Sequence, residues 1–143
     1  MASSEDWRPA PAVTAGYAVE VGGKELLESV DQSHFPNARI ASISVRQGRD
    51  VPVAAVAIHC EEVVGVATFS TDSDSLWQIG VDVAAGHRGK GLGAALTFRA
   101  TCAVLDHGKV PYYSTSVANI ISRRTAQSAG FYPCWTSVYT TVK

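Results

Sequence analysis

Three glycines and two cations lie close together in residues 88–93 (RGKGLG), between a β-prone run and an apolar helical stripe. Glycine adopts left-handed backbone conformations that other residues avoid, and it lets the backbone approach a ligand closely. A helix that begins directly after such a loop offers unpaired N–H groups and a partial positive charge to an anion. The pattern therefore predicts a strand–loop–helix turn that binds a phosphate or pyrophosphate group.

The runs around this loop predict a mixed sheet with helices packed on it, which is the α/β (α+β) class. Residues 53–60 and 63–70 are β-prone and are separated by two glutamates, which predicts an antiparallel hairpin. Residues 76–83 predict the strand that enters the loop, and apolar residues at helical spacing predict a helix over residues 92–105. A chain of 143 residues is long enough for one domain with one core.

The C-terminal part predicts three further elements. Residues 110–117 are β-prone, and residues 120–129 predict a second helix that Asn119 caps and Gly130 ends. Residues 131–142 predict a terminal strand.

The N-terminal part is less regular. Residues 1–14 are small, polar and proline-bearing, which predicts a poorly ordered lead-in to a single domain over residues 15–143. Within that domain, residues 17–21 predict a strand, residues 24–31 a short helix and residues 40–45 another strand.

The residues alone leave several interpretations of the glycine loop. A Walker A loop requires G-x-x-x-x-G-K-[ST], and the chain contains no such string. Gly89, Gly91 and Ala94 match a relaxed dinucleotide fingerprint, although residues 110–119 lack the acidic residue that a Rossmann unit carries after its next strand. A tight turn whose glycines serve packing alone is the simplest alternative.

Two stretches resemble the motifs of the GCN5-related N-acetyltransferase (GNAT) superfamily. Residues 81–93 contain V-x-V followed by R-x-x-G-x-G, which is similar to motif A, and residues 119–131 contain N-x-x-S, an alanine and then G-F, which resembles motif B. The resemblance covers residues 51–143 and is closest to a bacterial subgroup of uncharacterised members. It implies a mostly antiparallel twisted sheet flanked by helices, the acyl-CoA N-acyltransferase fold.

The resemblance also implies acetyl-CoA as the co-substrate. In the superfamily the pantetheine arm adds to the sheet where the fourth and fifth strands part, so the backbones of Val81 and Val83 are expected to bond its amides. The loop N–H groups would hold the pyrophosphate, and Arg123 would lie near the adenosine phosphate. The cofactor-binding residues so implied are Val81, Val83, Arg88, Gly89, Lys90, Gly91, Leu92, Gly93, Ala94, Asn119 and Ser122.

The implied reaction is attack of a primary amine on the acetyl thioester, which forms an amide and free CoA. An alkylammonium group has a pKa of about 10, so a base must first remove a proton. In the predicted strand, the side chains of Gln78, Gly80 and Asp82 point to one face. Asp82 is the candidate base and Gln78 orients water or substrate, with a structural role as the alternative for Asp82. The N–H of Val83 is expected to stabilise the oxyanion.

The leaving thiolate needs a proton donor. The superfamily often has a tyrosine seven residues after the motif B asparagine, but this chain has Ala126 there. Ser122, Tyr112, Tyr113 and water are the alternatives, and Ser122 joins Asp82 and Gln78 as a catalytic candidate. The missing tyrosine favours a second hypothesis, a non-catalytic acyl-CoA-binding sensor or subunit.

Composition restricts the partners and the compartment. A net charge of -1 and a pI of 6.4 argue against a protein that binds nucleic acid through bulk charge. No apolar window reaches a membrane span, and no signal peptide begins the chain, so a cytoplasmic protein is expected. The expected acceptor is a small-molecule or peptide amine. A homodimer is also expected, because the short N-terminal part would leave an apolar sheet face for a second subunit to cover.

Histidines and cysteines predict neither a metal site nor a disulfide framework. Their spacing is wide and irregular, and the cysteine count is odd. No metal is therefore expected, and the thiols are expected to be reduced. The residues concerned are His34, His59, His87, His107, Cys60, Cys102 and Cys134.

Overall fold

Five strands form one sheet in the computed structural model, which describes residues 11–21, 53–71 and 73–140. The sheet order follows the chain, β1-β2-β3-β4-β5. The first four strands pair antiparallel, and β5 pairs parallel to β4. The strands are β1 (Tyr17–Val21), β2 (Val53–His59), β3 (Glu62–Phe69), β4 (Leu76–Val83) and β5 (Val110–Tyr112). The two helices of the described residues are α1 (Leu92–Asp106), between β4 and β5, and α2 (Ile120–Ser128), after β5. The mixed, mostly antiparallel sheet with helices is the predicted fold class.

The hairpin of β2 and β3 is confirmed, with its turn one residue earlier than the glutamates suggested. Cys60 and Glu61 have positive φ values of 49° and 66°. Two successive left-handed residues give the backbone twist that suits a two-residue hairpin. Glu62 therefore begins β3 rather than the turn.

Helix α1 packs on the sheet through the apolar stripe that the sequence predicted. Leu92, Leu96, Ala100 and Val104 are buried in one cluster with Ala57, Ala67, Phe69 and Ile79 of the sheet. A Cβ atom at Gly65 would lie 2.8 Å from Leu96 Cδ1, so a glycine there allows the helix to approach β3 closely. The interface fixes the start of α1, and with it the glycine loop, against the end of β4.

The predicted capping residues are confirmed at both ends of α2. The N–H of Ser122 donates to Asn119 Oδ1 over 3.1 Å, which is the expected N-cap of α2. Gly130 has a φ of 107°, and Phe131 N–H donates to the carbonyl of Ala126 over 3.0 Å, as in a Schellman ending. Gly108 ends α1 in the same left-handed conformation.

One predicted strand is shorter than expected and another is wrong. The strand expected over residues 110–117 ends at Tyr112, and residues 131–140 form no strand, although residues 131–142 were expected to do so. Alternating side chains favour a strand only when a neighbour pairs with its backbone, and Pro133 removes one of the N–H groups that pairing needs. The expected helix over residues 24–31, the expected strand over residues 40–45 and most of the lead-in lie outside the described residues.

Candidate functional site

Strand β4 has an open edge where β5 leaves it. The pairing with β5 ends at Gln78 and Tyr112, so the second half of β4 has no neighbour on that side among the described residues. On the other side, the backbone carbonyl of Gln78 accepts from the N–H of Ser70, and the N–H of Ala84 donates to the backbone carbonyl of Val64 of β3. Backbone groups alternate in direction along a strand, so the N–H and C=O groups of Val81 and Val83 point to the open edge. These are the two residues expected to bond a pantetheine arm.

The glycine loop leaves β4 at that open edge. A single turn of 3₁₀ helix, Ala85–His87, leads from the strand into the loop, and α1 begins at Leu92. Gly89 and Gly91 have φ values of 77° and 80°, a region that favours glycine. The loop thus needs glycine at two of the positions that the anion-binding hypothesis selected.

The start of α1 lies against α2. A Cβ atom at Gly93 would lie 3.2 Å from Cγ2 of Thr125, so only a small residue fits between the two helices here. The side chain of Leu92 is buried in the core, and any contact between Leu92 and a cofactor would involve its backbone. Ala94 is half-buried in the same first turn.

Arg88 turns back toward β4. Its Nε donates to the carbonyl of Val83 over 3.1 Å, and its Nη2 lies 3.9 Å from Oδ1 of Asp82. The side chain of Asp82 is 10% exposed and that of Arg88 is 58% exposed. The neighbour of Asp82 on β3, Val66, is fully buried, so one side of the Asp82 side chain lies against the buried part of the sheet. Lys90 is exposed in the loop.

Each of the remaining candidates, Gln78 and Ser122, is hydrogen-bonded to a different tyrosine at the end of β5. Tyr113 Oη lies 2.8 Å from Oγ of Ser122, in the first turn of α2. Burial raises the pKa of Tyr113, and the hydrogen bond to Ser122 opposes that shift. Tyr112 Oη donates to Oε1 of Gln78 over 3.3 Å. Gln78 and Ser122 are therefore both bonded to a tyrosine where β4 and β5 part.

Motif B side chains have local roles besides any role toward a ligand. Asn119 caps α2, and Arg123 Nη1 donates to the carbonyl of Val117 over 3.2 Å. Both residues are exposed, on the same helix start as Ser122.

Sequence reasoning missed the contacts that reach the loop from the N-terminal side. Thr14 Oγ1 donates to the carbonyl of Lys90 over 2.9 Å, and Tyr17 Oη lies 3.0 Å from Nδ1 of His87. His59 stacks on Tyr17 with 4.3 Å between ring centroids. Thr14 and Tyr17 are 76 and 70 residues from their partners Lys90 and His87, so no local pattern signals their contact with the loop.

Metal and disulfide chemistry find no support in the described part of the chain. No group of three histidine, cysteine or acidic side chains there could hold a metal ion. Cys60, Cys102 and Cys134 are free, and burial raises the pKa of the Cys102 thiol. Among the described residues, no helix has the length and apolar character of a membrane span.

The sequence matches the model of one known protein family. The model of the acetyltransferase (GNAT) family matches residues 23–131, which is most of the chain. The chain belongs to this family. The GNAT match begins upstream of the motif-bearing part, so the family extends over a region where the motifs gave no signal.

Solved GNAT structures have the same fold. The aminoglycoside acetyltransferase AAC(6')-Iy, in complex with a CoA-linked bisubstrate analogue, is 19% identical with a TM-score of 0.65, over 89% of this chain and 98% of that one. A GNAT-like protein from Streptococcus suis is 22% identical with a TM-score of 0.66, over 89% and 48% of the two chains. The yncA protein from Salmonella typhimurium, solved with acetyl-CoA, is 24% identical with a TM-score of 0.60, over 82% and 80%. No curated protein sequence matches significantly.

Proposed function

We propose that the protein is an acetyl-CoA-dependent N-acetyltransferase that transfers an acetyl group to a primary amine by direct attack. The observation that carries the proposal is the open edge of β4, which leads directly into the glycine loop. Val81 and Val83 direct backbone groups into this edge, and Gly89 and Gly91 lie at its end. An extended arm ending in a pyrophosphate matches both parts, and acetyl-CoA has that shape.

The binding mode is strand addition followed by anion capture. The pantetheine amides would take the place of the missing neighbour along β4. The carbonyl of Val83 already accepts from Arg88, so cofactor binding there would share or displace that hydrogen bond. The pyrophosphate would accept from N–H groups of residues 88–94 at the start of α1.

Proton transfer sets the chemical requirements. The amine nitrogen forms a bond to the thioester carbon after a base has taken its proton, and Asp82 is the proposed base. The carbonyl oxygen becomes an oxyanion, which the N–H of Val83 would stabilise from the open edge of β4. The nitrogen then loses its second proton to water, the C–S bond breaks to leave the amide, and the sulfur takes a proton. Because Tyr113 and Ser122 are bonded to each other where the strands part, we propose this pair as the donor.

The acceptor is a small molecule or a peptide bearing a primary amine. The AAC(6')-Iy structure holds a bisubstrate analogue built on an acetylneamine, which makes aminoglycosides a first panel to test. Lysine-containing peptides form the second panel. We assign the reaction to the cytoplasm, where free thiols such as these three are usual.

A melting experiment tests cofactor binding before any acceptor is known. At about 100 times its dissociation constant a ligand stabilises the folded state by roughly 2.7 kcal/mol, which raises the melting temperature. We expect this shift with acetyl-CoA and CoA but not with NAD. A shift with NAD alone would replace the proposal with a dinucleotide site, and no shift with any of them would make the loop structural.

The alternative function is an acyl-CoA-binding sensor or subunit without turnover. Ala126 at the usual tyrosine position favours it, since the common proton donor of the superfamily is missing. Both hypotheses predict the same melting shift. Release of CoA in the presence of the two amine panels distinguishes them, and it is best followed by chromatography because Cys60 and Cys134 are exposed to thiol reagents.

Replacement of Tyr113 by phenylalanine tests the proposed proton donor. We expect turnover to fall by roughly tenfold or more, because a positioned acid contributes at least that much, while the affinity for CoA stays the same. Burial raises the pKa of Tyr113 above its usual range, so ionisation of Tyr113 should not reduce wild-type turnover between about pH 6 and pH 9.

Tyr132→Phe is the matched control, because Tyr132 is exposed and follows the opposite, C-terminal end of α2. Equal turnover in Tyr113→Phe and the wild type would remove Tyr113 from the mechanism. A parallel loss of CoA affinity would instead show that Tyr113 supports the site's structure.

A further inference from the structure

Residues 12–17 run along the outside of the glycine loop and into β1. The hydroxyl of Thr14 donates to the carbonyl of Lys90 over 2.9 Å, and its N–H lies 3.4 Å from the same oxygen. A Cβ atom at Gly91 would lie only 3.0 Å from the carbonyl oxygen of Ala12. The loop is thus packed against this N-terminal segment at two successive residues.

The bond from Thr14 determines the direction of a neighbouring N–H group. In a trans peptide, the carbonyl of one residue and the N–H of the next point in opposite directions. Because Thr14 holds the carbonyl of Lys90 toward the N-terminal segment, the N–H of Gly91 points to the opposite side of the loop. A peptide next to a glycine of positive φ rotates readily, so this orientation needs an external anchor.

Tyr17 anchors the other end of the loop. Its hydroxyl lies 3.0 Å from Nδ1 of His87, in the turn that precedes Arg88. The ring of Tyr17 stacks on His59 of β2, and His59 Nδ1 lies 2.9 Å from the carbonyl oxygen of Gly16. The segment is therefore tied to the sheet as well as to both ends of the loop.

We infer that Thr14 and Tyr17 are positioning residues for the phosphate groups of the cofactor. Thr14 sets the peptide between Lys90 and Gly91 so that the N–H of Gly91 faces the pyrophosphate, and Tyr17 holds the turn at His87 from which the loop starts. The inference rests on the proposed function, since it takes CoA as the ligand of the loop. It assigns a role in cofactor affinity to residues outside both sequence motifs.

The test separates the pyrophosphate from the rest of the cofactor. In a Thr14→Val variant we expect binding of CoA to weaken about fivefold to tenfold, the range for one lost hydrogen bond that orders a ligand donor. Binding of pantetheine, which lacks the pyrophosphate, should be unchanged. Calorimetry measures the dissociation constant of CoA, and a chemical-shift titration measures that of the weaker ligand pantetheine.

Three further variants complete the experiment. Thr14→Ser keeps the hydroxyl, so its CoA affinity should equal that of the wild type. Tyr17→Phe keeps the stacked ring but loses the hydroxyl, so it should bind CoA more weakly and pantetheine as before. Thr140→Val is the control for the same substitution at an exposed threonine. Unchanged CoA binding in Thr14→Val, or an equal loss for CoA and pantetheine, would overturn the inference. Failure of the wild type to bind CoA would overturn the proposed function itself, and with it this inference.

Discussion

A Gly91→Glu variant is expected to lose CoA binding by more than about a hundredfold while its fold survives. Gly91 has a φ of 80°, directly before the first residue of α1. A carboxylate there would lie beside the proposed pyrophosphate, and two like charges at about 4 Å repel by roughly 4 kcal/mol near a protein surface. The new side chain would also meet the carbonyl of Ala12, 3.0 Å from its Cβ position, and push the N-terminal segment from the loop.

Substitutions at two other glycines distinguish the possible causes of the lost CoA binding. Gly89 has a similar φ of 77° but open space around its Cβ position, so Gly89→Glu brings charge and backbone strain without the contact to Ala12. Gly86 has open space and no positive φ, so Gly86→Glu is the control for an added charge nearby. The dissociation constant of CoA and the melting temperature without ligand should be measured for all three. Unchanged CoA affinity in Gly91→Glu would remove the loop from the cofactor site.

Replacement of Asp82 by asparagine is expected to lower turnover by roughly a hundredfold, the lower end of what a general base contributes. Asparagine keeps the shape of the side chain but cannot accept the amine's proton. Arg88 lies 3.9 Å from Asp82 and donates to the carbonyl of Val83, so the substitution is expected to alter the position of Arg88 at the open edge of β4. Because an exposed ion pair contributes little, CoA affinity should change by no more than about threefold. The measurement is kcat against KM for acetyl-CoA at neutral pH, with the best acceptor of the amine panels.

Asp74→Asn is the matched control for that variant. Asp74 is an exposed carboxylate in the bend before β4, outside the proposed site. Full activity of Asp82→Asn at neutral pH would exclude Asp82 as the base. A loss confined to cofactor affinity would give Asp82 the alternative, structural role of holding Arg88 against the end of β4.

Local patterns predicted most of the fold. The hairpin, β4, the loop and the helix after it follow from β-prone runs separated by polar turns, from an apolar stripe with a helical period and from the glycines of the loop. Asn119 and Gly130 marked the two ends of α2 correctly, because a cap depends on hydrogen bonds within a few residues. The expected terminal strand over residues 131–142 was wrong because a strand requires a pairing neighbour, which local alternation does not supply.

Some residues of the candidate site could be selected from the sequence, whereas their contacts depend on the tertiary structure. Val81, Val83, Gly89 and Gly91 were selected by motif, and the open edge and the positive φ values support that selection without testing its function. Asp82 was selected from the alternation of β4, but the burial of its neighbour Val66 and its approach to Arg88 depend on how β3 and the loop pack around it.

By itself, the sequence determined the order of the elements, the position of the loop and the family to which the chain belongs. Only the tertiary structure decided which distant residues support that loop and which tyrosines meet Gln78 and Ser122. Thr14 and Lys90 are 76 residues apart, and Tyr17 and His87 are 70 apart. Local propensities act over a few residues, whereas these contacts exist only because β1 joins β4 in one sheet through β2 and β3, which brings the N-terminal segment beside the end of β4.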